Sequence, residues 1–71
     1  MKLLSKADSG TSYSIKWMLG LPDVIADFLN KNHMEQGADI FLVNRFGDYV
    51  IVNSGEHRLA LDGEIASRIY V

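Results

Sequence analysis

Gly55-Glu56-His57-Arg58-Leu59-Ala60-Leu61-Asp62-Gly63-Glu64-Ile65-Ala66-Ser67-Arg68-Ile69-Tyr70-Val71 is the stretch on which the reading of the fold turns. Arg58 to Leu61 reads as a short strand. Asp62 suits a helix start, because its carboxylate accepts from backbone N–H groups that a first turn leaves unpaired. One turn of helix then sets Ile65 and Ala66 on a common side. Ile69-Tyr70-Val71 returns to β-rich composition, and a terminus of this kind is expected to lie in a sheet, since untied termini fray.

Working outward, Asn53-Ser54-Gly55-Glu56 reads as a turn. Before it lie two apolar runs, Ile40 to Val43 and Tyr49 to Val52, both strand-like in composition. The five residues between them, Asn44 to Asp48, predict a hairpin loop in which Gly47 supplies a left-handed position. Glu35-Gln36-Gly37 is a further turn. From Tyr13 to Leu19 the residues alternate, with Tyr13, Ile15, Trp17 and Leu19 on one face, which predicts a half-buried strand. Gly20-Leu21-Pro22-Asp23 ends that strand, and Pro22 is well placed at a helix start. Leu21, Ile25, Phe28 and Leu29 follow helical spacing as a buried stripe, so a helix is predicted over 21–32. Leu3-Leu4 reads as an edge strand, followed by turn chemistry over Ala7-Asp8-Ser9-Gly10.

The sum is a mainly β chain: five short strands, one inserted helix and a helical turn before the last strand. Open strand edges invite association, so closure into a small five-stranded barrel is expected. Seventy-one residues give room for one domain, spanning 1–71. Seven Lys and Arg residues against nine Asp and Glu give a net charge of -2, which argues against nucleic acid. There is no cysteine, so disulfides, thiolate metal sites and thiol catalysis fall away. No apolar run approaches the ~20 residues of a membrane-spanning helix, and no signal peptide is visible. A cytoplasmic protein is expected.

The chemistry-bearing residues are few. His33 and His57 are the only histidines, both at predicted turns. A ligand set around them would need carboxylates such as Glu35, Asp39 or Glu56, and exposed loop histidines are the simpler reading. Neither a metal site nor a cofactor is therefore expected. The serines lack the base and orienting group of a nucleophilic triad, and no Gly-Lys-Ser/Thr loop exists to cradle a phosphate. A non-enzymatic protein is expected. Tyr13, Trp17 and Tyr49 read as core or rim, with a peptide groove as the alternative. Phe46 stands at the predicted hairpin tip, where an apolar ring has no obvious core to join.

The order of these elements resembles the FeoA family, small SH3-like barrels encoded beside bacterial ferrous-iron transporters. The resemblance rests on Met34-Glu35-Gln36-Gly37-Ala38-Asp39-Ile40, Gly47-Asp48, Arg58-Leu59-Ala60-Leu61, Ile65-Ala66 and Ile69-Tyr70-Val71. It covers residues 24 to 71 well and the first third in layout. Three features depart from the family pattern. Asn32-His33 stands where Leu-Gly is usual after the helix, Phe28 where an Arg is frequent, and Asp62 where a basic residue often follows Arg-Leu-Ala-Leu.

The resemblance implies an SH3-like barrel and an accessory protein of ferrous-iron uptake that docks on the cytosolic part of a FeoB-type transporter. Transition-metal biology is its context. Phe46 and Arg45 of the hairpin, with Val24, Asn32 and Met34 of the helix and its exit, are the expected partner-binding residues. A weak homo-oligomer is a further expectation. Two other readings stand beside it: a regulatory module akin to the SH3-like domain of DtxR-type iron-dependent repressors, and a peptide-binding adaptor.

Overall fold

The computed structural model describes residues 1–71, and six strands organise it. β1 (Thr11–Ser14), β3 (Asp39–Phe46), β4 (Tyr49–Ser54) and β5 (His57–Leu61) form one antiparallel sheet in the order β1-β3-β4-β5. β2 (Trp17–Met18) and β6 (Ile69–Tyr70) form a separate antiparallel pair. Helix α1 (Asp23–Lys31) lies between β2 and β3, and α2 (Gly63–Ala66) lies between β5 and β6. The expected closed five-stranded barrel is thus replaced by two sheets that share a core.

The single strand expected over 13–19 is broken at a corner, because its backbone changes partner there. The Ile15 N–H donates to the Ala38 carbonyl, beside the large sheet, while the Lys16 N–H donates to Tyr70 of β6. Ile15 is buried, but beyond the corner Trp17 and Leu19 turn outward. Leu3-Leu4 is likewise not an edge strand. Leu3 makes one bridge to Tyr70, and Leu4–Lys6 forms a 3-10 turn that sinks Leu4 into the core. Lys2 and Val71 exchange both backbone hydrogen bonds, which ties the first residues to the last.

Both hairpins are tighter than the sequence suggests. Phe46 pairs with Tyr49 and Ser54 with His57, so each loop has two residues, Gly47-Asp48 and Gly55-Glu56. Each loop opens on a glycine at positive φ, 64° and 60°, the placement a II′-type turn requires. β3 carries a bulge at Val43: Leu42 pairs with Val52, but Asn44 pairs with Ile51. An extra residue changes which face the following side chains take. Ile40 and Leu42 face the core before the bulge, and Arg45 shares the face of buried Val50 after it.

The core gathers Leu4, Ile15, Leu29, Leu42, Val50, Val52, Leu61, Ile69 and Met34 from every layer. α1 contributes Leu29 fully and Ile25 in part, while Phe28, expected in the buried stripe, is half exposed.

Candidate functional site

Two concave surfaces and one hairpin end carry what chemistry the fold offers. The first concavity, of about 300 Å³, lies between the start of α1 and α2. Leu21, Pro22 and Ile25 come from one side, Ile65 and Arg68 from the other. Arg68 donates from Nη1 to the Gly20 carbonyl at 3.1 Å, and Gly20 sits at φ 70°. Asp62 and Glu64 also line this groove, and Asp62 accepts from the Ile65 N–H at 2.9 Å as the cap of α2.

The β3–β4 hairpin end adjoins α2. The Asp48 carboxylate lies directly over the Cα of Gly63, where any side chain would collide with it. Phe46 is 57% exposed and its cross-strand partner Tyr49 is 40% exposed. Two aromatic side chains therefore stand in solvent at the hairpin end. Arg45 does not project freely. Its guanidinium donates from Nε to the Ala7 carbonyl at 2.8 Å and from Nη1 to the Gly47 carbonyl at 2.6 Å, so it braces the loop beneath Phe46.

The remaining sequence candidates divide sharply. Val24 is 73% exposed on α1. Asn32 is half-buried and turns back on its own helix, its Nδ2 donating to the Phe28 carbonyl at 2.8 Å. Met34 is fully buried and offers no surface to a partner. The cause is the way α1 ends. The Met34 N–H donates to the Leu29 carbonyl and the His33 N–H to the Asn30 carbonyl, the paired bonds of a Schellman motif. That motif folds the residue two past the cap, here Met34, against the last helical turn, where Leu29 is also buried. Trp17 is 45% exposed and stacks edge-on against Tyr70, with ring centres 6.5 Å apart, so it is a rim residue.

The second concavity, of about 430 Å³, brings together His33, His57, Glu35, Asp39 and Glu56, the residues that the sequence offered only as a hypothetical ligand set. Its walls bring His33 at the end of α1 against His57 at the start of β5, with ring centres 5.3 Å apart. His33 is the only non-glycine residue at positive φ, 64°. It occupies the position where the family pattern places glycine. No set of three or more His, Cys, Asp and Glu side chains converges in metal-binding geometry anywhere in the chain.

This arrangement of a small β domain with an inserted helix and a short capped helix before its last strand defines a class, the SH3-like fold. A solved FeoA from Stenotrophomonas maltophilia, complexed with zinc, is described as a prokaryotic SH3 domain protein. It superimposes with a TM-score of 0.79 at 25% identity, over 99% of this chain and 88% of that one. A second solved structure, an iron uptake regulatory protein (FeoA), gives a TM-score of 0.79 at 21% identity, over 93% and 86% of the two chains. The family model for the FeoA domain matches residues 2–71, and the chain belongs to the FeoA family. A search of curated proteins found no match.

Proposed function

We propose that this protein is a non-enzymatic accessory factor of ferrous-iron transport that acts by docking on the cytosolic region of a FeoB-type transporter. The observation that carries this reading is the exposed Phe46–Tyr49 pair on a braced two-residue hairpin whose Asp48 packs on Gly63 of α2. Exposed aromatics held on a rigid backbone are the side chains that anchor interfaces, because they bury large area at small entropic cost. Family membership supplies the transport context. The Stenotrophomonas relative has been put forward as a ferrous iron transport activating factor, which agrees with an accessory role. No helix of the chain is long and apolar enough to cross a membrane, so the transporter would be met from the water-exposed side.

The proposed docking surface comprises Phe46 and Tyr49, the groove residues Leu21, Ile25 and Ile65, and Val24 on the flank of α1. Arg45 serves by holding the loop, and Asn32 by closing the helix. Docking would regulate only if the transporter's states differ in affinity for this surface, since equal affinity shifts nothing. Phe46→Ala is expected to raise the Kd for the transporter's cytosolic region about tenfold, ~1.4 kcal/mol, as for an interface anchor. Its thermal unfolding should be unchanged, because the ring is mostly solvated. Isothermal titration calorimetry checks the first point, and an unchanged Kd would remove the hairpin from the interface.

A further inference from the structure

The outer face of the small sheet is apolar, and no element of the fold packs on it. Tyr70 of β6 pairs with Trp17 of β2 on one side and bridges to Leu3 on the other, so the three side chains stand in a row. Side chains alternate along a strand. The row therefore lies opposite Ile69, which is fully buried. Leu19 follows two residues after Trp17 on the same face and is 55% exposed. Met1 stands two residues before Leu3 and is 76% exposed. Trp17 remains about half exposed although its ring meets Tyr70. Single apolar residues at a surface are ordinary, but a contiguous set of them marks an interaction surface.

The charges around this face select its partner. Three segments build it: Met1-Lys2-Leu3, Lys16-Trp17-Met18-Leu19 and Arg68-Ile69-Tyr70-Val71. Together they hold three basic side chains and no Asp or Glu, in a chain whose net charge is -2. The chain's one ion pair joins Lys2 to Asp8 at 3.5 Å, so Lys16 and Arg68 keep their charges unpaired. Arg68 donates to the neutral Gly20 carbonyl and shares the neighbouring groove with Asp62 and Glu64. We propose that this face adsorbs to an anionic phospholipid surface. Trp and Tyr favour the headgroup level, because each has an apolar body and a polar tip. Leu19 and Met1 supply apolar area for adsorption to bury. Lys16 and Arg68 lay their stems along that area and offer their charged ends to lipid phosphates. The protein lies on the bilayer and does not cross it. The face uses no residue of the Phe46 hairpin, and it stands whether or not the docking reading holds.

Trp17 is the only tryptophan, so its fluorescence reports on this face alone. The whole protein is titrated with vesicles of phosphatidylcholine, and with vesicles of phosphatidylcholine mixed with phosphatidylglycerol. The mixed vesicles are expected to shift the emission to the blue and to carry the protein down on sedimentation. High salt should reverse both effects, because it screens exposed charges. Lys16→Gln removes one exposed cation and should raise the apparent Kd roughly fivefold, the effect of one basic residue near an anionic surface. Leu19→Gln removes exposed apolar area and should also weaken binding, while leaving the unfolding midpoint unchanged. Phe46→Ala should bind vesicles as the parent does. An emission that stays still, that shifts equally with phosphatidylcholine alone, or that is indifferent to both Lys16→Gln and Leu19→Gln would overturn the lipid-binding face. So would loss of vesicle binding in Phe46→Ala. A protein partner on this face would give the first of these results.

Discussion

At the residue scale, the fold depends on a few side chains whose positions follow from how the helix ends. Met34 is the clearest. Its place in the sequence, just past a polar helix end, suggests surface, but the Schellman hydrogen bonds turn it inward against Leu29. Met34→Ala is expected to cost about 2–5 kcal/mol, the range for emptying a buried large side chain. That is a large share of a small domain's total stability, and urea titration should show a collapsed or missing unfolding transition. Ser54 is a second case. Ser54→Ala removes the only side-chain donor to the His33 carbonyl and should cost about 1–2 kcal/mol by the same measurement. The candidate partner residues show both sides of legibility. Exposure of Phe46 and Val24 follows from an apolar residue lying off every periodic stripe. Burial of Met34 and the bracing of Arg45 by two distant or loop carbonyls depend on backbone geometry that composition does not encode.

At the element scale, α1, β4, β5 and α2 were legible because each carries a local signal. Pro22 opens α1 by accepting from the Ile25 and Ala26 N–H groups at its carbonyl. Asp62 caps α2 through its side chain. Asp62→Ala should lower stability by about 1 kcal/mol, and the change should appear as a lower midpoint in chemical denaturation with an unchanged slope. The β3–β4 loop was expected to be longer than it is. Asn44 and Arg45 read as loop residues because they are polar, while the bulge at Val43 gives them strand positions facing a new side. The strand expected over 13–19 failed for a related reason. Alternation persists through a corner, but the hydrogen-bond partner and the buried face do not.

At the scale of the whole molecule, the decisive contacts are the most distant in sequence. β2 pairs with β6, Lys2 with Val71, and His33 meets His57. No local pattern reports such pairings, so the two-sheet architecture and the histidine concavity emerge only in the folded chain. The order of the elements was nevertheless readable, and it suffices to place the chain in its family. What the assembled molecule adds is a geography. One side of α2 meets the Asp48 hairpin and the groove, and the histidine concavity lies at the far end of α1.

That geography makes the central claim testable in a single experiment. Amide NMR spectra of the isotopically labelled protein should be recorded while the cytosolic region of a FeoB-type transporter is added. The account predicts shifts concentrated at residues 21–25, 45–49 and 62–68, with the amides of β1 and of the His33–His57 concavity little changed. Shifts absent at high concentration, or gathered on β1 and away from the hairpin, would contradict docking through this surface.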